Sequence, residues 1–430
     1  MTGDGVVASS IAARRAIRAT RRGPRVTLAV LAAAGLLLAP AAAPAAVGAA
    51  TDLRLDGDGE CKFPAEDIKG TPWALQRVLL SQLWQHTKGQ GVKVAVLDSG
   101  VDIKNPQLTS AVEASAGSSV VGDKTGHGTT DTIGHGTKVA GIIAARPVKG
   151  TGFVGLAPEA TIVPIKQYED DEETGSSGAT GAALARAVDA AVTAQVQIIN
   201  ISQDIGSKDD SLLAHAVARA VDKGILVVAA AGNQGSGGRP GTVYPAAYPH
   251  VLAVGASDRN NERADFSQAG GFVGVAAPGV DMVSTVPGGG QCVDSGTSFS
   301  TPYVVGVAAL IKSAHKNWTA DQITTRIEQT AQRTSLGRND FVGWGVVDPV
   351  RAVSDNATPA DTPTPDKGLA KSGSQVVPAA LTFGESRQAH DRRIATYVVG
   401  SGLLVVVVVA GGAVAMRDLR RKPGSGARNL

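Results

Sequence analysis

Val94-Ala95-Val96-Leu97-Asp98-Ser99-Gly100-Val101-Asp102 is an apolar run that stops abruptly on an acid and a glycine. A continuous apolar run closed by a polar turn is how a strand covered on both faces ends at the edge of a parallel sheet. Similar runs return at Thr161 to Lys166, Val196 to Ile201, Ile225 to Ala230 and Val251 to Gly255. Helical patterns fill the gaps. Gly181 to Thr193 places Leu184, Val188 and Val192 on one face, and Leu212 to Val221 does the same with Leu213, Val217 and Val221. From Val92 to about Val353 this alternation predicts an α/β domain, a mostly parallel β-sheet with helices on both faces.

Composition narrows the classes of function. With 53 glycines and 4% aromatic residues among 430, the core is expected to be built from small aliphatic side chains. The net charge of +3 is small, and basic residues gather at the two ends, so no basic face for nucleic acid arises. Two cysteines, Cys61 and Cys292, exclude a disulfide-rich scaffold and a cysteine zinc cluster. They suffice for one bridge, which an exported chain would form in an oxidising compartment.

Export is what the N-terminus predicts. Arg14, Arg15, Arg18, Arg21, Arg22 and Arg25 precede an apolar run from Val26 to about Ala39 and an Ala/Pro stretch to Ala50, the layout of a signal peptide over residues 1–50. An extension, 51–90, follows. It is too short to fold alone, so it is expected to lie along the domain that follows, 91–353. Residues 354–393, with Thr-Pro-Ala-Asp-Thr-Pro-Thr-Pro at 358 to 365, form an extended linker. Ile394 to Met416 is uncharged and apolar, long enough at ~1.5 Å per residue to cross a membrane as one transmembrane helix. Arg417, Arg420, Arg421 and Lys422 in the tail, 417–430, belong on the cytoplasmic side. Both ends therefore put the body outside the cytoplasm, anchored to the cell membrane by a single pass.

Polar residues sit at strand ends and helix starts, where ligands bind in open α/β sheets. Asp98 closes the first strand. His135 lies in Gly134-His135-Gly136-Thr137-Lys138-Val139-Ala140-Gly141 and runs into an apolar helix, whereas the competitor His127 runs into the polar Thr130-Asp131-Thr132. That continuation favours His135. Asn233 ends the apolar Val227 to Ala231 segment. In Asp294-Ser295-Gly296-Thr297-Ser298-Phe299-Ser300-Thr301-Pro302 the proline suits a helix's first turn, so Ser298 is expected at a helix N-terminus, where the dipole favours negative charge. Ser295 and Ser300 are the competing hydroxyls, and the Gly-Thr-Ser turn points to Ser298.

In this order, Asp98-Ser99-Gly100, His135-Gly136-Thr137-Lys138-Val139-Ala140-Gly141, Ala231-Gly232-Asn233 and Gly296-Thr297-Ser298 through Pro302 resemble the motifs of the subtilase family of serine proteases. Gly155 to Pro158, Ile199 to Ser202 and Gly343 to Asp348 resemble its weaker features. The resemblance implies a subtilisin-like fold and an Asp98-His135-Ser298 triad, with Asn233 holding the oxyanion. It places Ser202, Gln203 and Gly232 along the cleft for a protein or peptide substrate, with no metal or cofactor in the chemistry. A narrower resemblance is to the mycosins, membrane-anchored subtilases associated with type VII secretion. It rests on Pro72-Trp73-Ala74-Leu75-Gln76-Arg77, Leu83-Trp84, Gly89-Gln90-Gly91-Val92 and the arrangement of the two ends, and it implies a type VII membrane complex as partner. One departure is the absence of a cysteine-containing loop after Ile201-Ser202-Gln203-Asp204. The other class of function is a structural subunit that stabilises a membrane secretion complex, with proteolysis secondary.

Overall fold

A computed structural model describes residues 61–122, 124–169, 179–206, 208–333, 335–360, 362–366 and 386–420. The expected signal peptide, much of the linker and the end of the tail lie outside these residues. The chain divides into two compact units, Met1–Pro365 and Asp366–Leu430.

In the first unit the strands are β1 (Lys93–Asp98), β2 (Ser118–Ser119), β3 (Thr161–Lys166), β4 (Ile198–Ile201), β5 (Leu226–Ala230), β6 (Val251–Ser257), β7 (Val273–Pro278), β8 (Met282–Thr285) and β9 (Gln291–Asp294). The helices are α1 (Trp73–Gln76), α2 (Leu80–Leu83), α3 (His135–Ala144), α4 (Gly181–Thr193), α5 (Ser211–Asp222), α6 (Thr297–Ala314), α7 (Ala320–Thr330) and α8 (Pro349–Ser354). β1 to β7 form a parallel sheet in the order β2-β3-β1-β4-β5-β6-β7, and β8 and β9 form a separate antiparallel hairpin. The chain builds outward from β1 through β3, then crosses to β4 on the other side. The C-terminal end of β1 is thus the point where the winding reverses, the place at which open α/β sheets bind their ligands.

Side chains alternate between two buried layers, as a strand period of two demands. Val94 and Val96 of β1 join the layer that holds α3, α6 and α7, whereas Ala95 and Leu97 join the layer that holds α4 and α5. The same alternation runs through Ile198 and Ile199, Val228 and Val227, and Val254 and Ala253. Helix starts obey local chemistry. Thr180 accepts from the Ala183 N–H, Asp210 caps Leu212 and Leu213, and Thr319 with Gln322 forms a capping box. α6 is buried on every side except at Lys312 and Ala314, the property of a helix enclosed by other layers.

The extension lies along the domain, as expected. Ala65 N–H donates to Gly289 at 3.0 Å, Gln291 N–H to Glu66 at 3.2 Å, and Gly152 N–H to Ile68 at 2.9 Å. A disulfide joins Cys61 to Cys292 of β9 across 231 positions of sequence. In the chain-entropy picture closing such a loop is worth about 5 kcal/mol at most. Replacing both cysteines by serine is expected to lower the denaturant midpoint, and non-reducing peptide mapping of the unaltered protein should recover Cys61 and Cys292 as one linked pair.

Contacts continue past Val353, where the domain was expected to end. Gln329 accepts from Thr364 N–H at 2.7 Å, Arg333 donates to the Thr364 carbonyl at 2.9 Å, and buried Arg326 is bonded to Asp355 and the Ala357 carbonyl. In the second unit α9 (Arg387–Arg420) extends the expected apolar run at both ends, and it is a candidate membrane span by length and composition. Ending the chain after Val353 instead of Pro365 leaves the Arg326 guanidinium without these partners. It should cost about 1–3 kcal/mol, seen as a melting midpoint lower by several degrees.

Candidate active site

The site assembles at the C-terminal end of β1. Asp98, the last residue of that strand, has a side chain with 0% exposure, and its Oδ1 accepts from His135 Nδ1–H at 2.8 Å. Since a carboxylate only accepts, this bond fixes the proton on Nδ1 and leaves Nε2 with a lone pair. The approach depends on Gly136. A Cβ there would lie 2.1 Å from the Gly100 carbonyl oxygen and 2.9 Å from Asp98 Cβ, so any side chain would push the first turn of α3 off the strand end.

Asp131 binds the surrounding loops into one piece. Its Oδ1 accepts from the Gly134 N–H at 2.8 Å and from the Ser99 hydroxyl at 2.9 Å. Its Oδ2 accepts from Thr137 N–H at 2.9 Å and from the Thr137 hydroxyl at 2.6 Å. Burial drives the Asp131 pKa up, against the lowering effect of these bonds. The sequence reading placed Asp131 only in a polar loop after His127. Its spacing of four residues before His135, with a glycine between, is the signal that could have marked it as an anchor of the helix start.

Ser298 lies in the first turn of α6, next to Phe299 in the chain. The His135 and Phe299 rings lie 5.3 Å apart at 49°. This ring contact brings the first turn of α6 up to the start of α3. The Ser298 N–H is one of the first four of its helix, which have no intrahelical carbonyl to bond. Asn233 aims at the same place. Its Oδ1 accepts from both the Thr297 N–H and the Thr297 hydroxyl at 2.9 Å, which settles the amide orientation and turns Nδ2 outward. A Cβ on Gly296 would stand 2.8 Å from Ser298 Oγ and 3.5 Å from Asn233 Nδ2, so the glycine keeps the space around these two atoms open.

Of the expected cleft residues, Ser202 turns inward. Its hydroxyl donates to the Ser298 carbonyl at 2.8 Å and accepts from Asn200 at 2.9 Å, so it supports the backbone of Ser298. Gln203 is half-buried and bonded to Gln167, and Gly232 donates its N–H to the Thr297 hydroxyl at 3.3 Å. The competitors lie elsewhere. His127 is exposed and bonded to the Gly117 carbonyl at 3.2 Å, Ser295 accepts from Asp281 N–H at 2.9 Å, and Ser300 is buried against Gly279. Tyr168, Phe299 and Lys138 belong to the site and were not singled out from sequence. Lys138 pairs with Asp294 at 2.9 Å and links α3 to β9. Among the described residues no group of three or more His, Cys, Asp or Glu side chains gathers to hold a metal ion.

Burial of the His135 ring opposes its charged form, but the Asp98 charge and hydrogen bond, with Asp131 and Asp294 behind them, outweigh it and raise the pKa above 6.5. The imidazolium therefore adds stability that is fully present below about pH 6.5 and lost as pH rises through the higher folded value. NMR titration should place His135 above 6.5, and Asp98→Asn should bring it down.

Residues 89–345 match the Subtilase family. Subtilisin E of Bacillus subtilis (strain 168) is 39% identical over 284 residues, which cover 66% of this chain and 71% of that protein. Among solved structures, the MycP3 protease from the type VII (ESX-3) secretion system shares 35% identity and a TM-score of 0.60, covering 68% of this chain and 90% of that one. MycP1 from Mycobacterium smegmatis shares 31% identity and a TM-score of 0.60, covering 73% and 91%.

Proposed function

Since this chain belongs to the subtilase family and is a serine endopeptidase of that family, we propose that Asp98, His135 and Ser298 are its triad, working at the outer face of a membrane that α9 crosses. The observation that carries the assignment is the convergence of three elements. β1 brings Asp98, α3 brings His135 hydrogen-bonded to it at 2.8 Å, and α6 brings Ser298 at a helix start.

In the proposed reaction His135 Nε2 takes the proton of Ser298 as Oγ attacks the peptide carbonyl. Asp98 holds the ring and stabilises the imidazolium that forms. The carbonyl oxygen gains negative charge where Asn233 Nδ2 and the Ser298 N–H meet it, at the positive end of α6. His135 then protonates the leaving amine, and water, activated by the same imidazole, hydrolyses the acyl-enzyme. Gln203 and Gly232 line the cleft on this reading, and Ser202 holds the backbone of the nucleophile.

Placement outside the cytoplasm rests on the arginine-rich N-terminus with its apolar run, the disulfide, and the basic residues after the apolar stretch of α9. Association with a type VII secretion complex rests on the neighbours MycP1 and MycP3, which come from such systems. On this reading the C-terminus is cytoplasmic and the substrate is an extracytoplasmic protein or peptide.

A fluorophosphonate probe should label the wild-type protein and fail to label Ser298→Ala. His135→Ala and Asp98→Ala should lose most peptidase activity, whereas His127→Ala stays near wild type. Asn233→Ala should lower kcat by ~10² to 10³, the cost found for the equivalent amide of a subtilisin. Equal losses from His127→Ala and His135→Ala would refute the assignment of the base.

A further inference from the structure

Tyr168 follows β3, is 6% exposed, and directs its hydroxyl at Asp98 Oδ1 from 3.1 Å. Burial, reinforced by the Asp98 and Asp131 charges, pushes its phenol far above the usual tyrosine range, so the group keeps its proton and donates. Asp98 presents two oxygens of very different standing. Oδ1 takes His135 Nδ1–H at 2.8 Å, Ser99 N–H at 2.8 Å and the Tyr168 hydroxyl. The Ser99 hydroxyl, 3.3 Å away, lies closer to Asp131 at 2.9 Å and donates there. Oδ2 is buried with no protein partner. Every donor thus converges on the oxygen that faces the imidazole.

We propose that Tyr168 is a positioning residue for the triad, whose hydroxyl holds Asp98 Oδ1 against His135 and sets how much negative charge that oxygen presents to the ring. The proposal rests on the triad reading and adds to it a fourth side chain, from the segment that follows β3. Two physical effects follow from the bond. Aspartate χ2 is a soft two-fold torsion, so a carboxylate held only by its own neighbour Ser99 and by the imidazole is less firmly prevented from turning its unpartnered oxygen toward the ring. A donor on Oδ1 also disperses its charge, so the imidazolium is stabilised less than it would be by a bare carboxylate.

The signs of the test follow from these effects. The charged groups around the imidazole are Asp98 from β1, Asp131 from the loop before α3 and Asp294 from β9, the last paired with Lys138 of α3; Tyr168 itself faces Asp98 and Asp131. Tyr168→Phe keeps the ring and removes only the hydroxyl. The His135 titration midpoint should rise by about half a unit, and the acid limb of kcat/KM should move up with it. At neutral pH kcat should fall about 10- to 150-fold with KM unchanged, the cost of losing a hydrogen bond to a charged group. Incorporating 3-fluorotyrosine at position 168, which strengthens the donor and preserves the packing, should move the midpoint the other way.

The decisive experiment is NMR titration of His135 in full-length protein carrying Ser298→Ala, with and without Tyr168→Phe, and again with Asp98→Asn added. An upward shift that vanishes in the Asp98→Asn background supports the proposal. An unmoved midpoint, or a shift that survives Asp98→Asn, overturns it. Because this readout needs no turnover, it is independent of the triad reading, which fails separately if the fluorophosphonate probe does not label Ser298 in the wild-type chain.

Discussion

A carboxylate shut away from water at the end of β1 is the constraint around which this structure is built. A charge in the interior persists only where donors meet it. Asp98 finds them in the following backbone amide, in an imidazole from α3 and in a phenol that follows β3. Each comes from a different segment, so the charge ties those segments together. Such a meeting is geometrically available at one place in this sheet. β1 lies between β3 and β4, and only at its end do connections from both directions of the winding pass close to one another.

The second half of the site depends on α6. A helix enclosed on nearly all sides cannot shift to relieve local strain, because close-packed interiors transmit displacement. Its N-terminal turn is fixed further by the bonds from Thr297 to Asn233 and from Ser202 to the Ser298 carbonyl. Ser298 therefore stands on a rigid support, and on the proposed reading the groups that receive negative charge, an amide and a helix terminus, are held before any charge develops. That is the condition under which electrostatic stabilisation costs no reorganisation.

Much of this was legible in the sequence. The parallel sheet could be read because strands covered on both faces are apolar without interruption, as at Thr161 to Lys166, and α4 was bounded correctly from the periodic face of Leu184, Val188 and Val192. Asp98 stood out because it closes an apolar run, and His135 and Ser298 because each stands where an apolar helix begins. Other features left weaker marks. β7 is Val-Gly-Val-Ala-Ala-Pro, whose small residues and proline mask its strand character, and the β8–β9 hairpin is short, with a turn of three glycines. Tyr168 and Asp131 are single polar residues outside any motif, and only the fold brings them to Asp98 and α3. Ser202 was legible as a residue beside the cleft but not as one facing inward, since its direction is decided by a partner 96 positions away.

Three carboxylates act on the one imidazole, and they do not act on it equally. Asp131 spends both oxygens on amides and hydroxyls of the loops, so its charge is largely answered before it reaches the ring. Asp294 is paired with Lys138, whose side chain is only 10% exposed and so is screened little by solvent. Asp98 alone addresses the ring directly, and burial of the imidazole works against it. His135 is left more basic than a free histidine, yet on the proposed reading it still loses its proton between turnovers. The partners of Asp131 and Asp294 temper what these two outer carboxylates add to that rise, which gives Lys138 and Thr137 a physical reason to stand in the same short helix as the histidine.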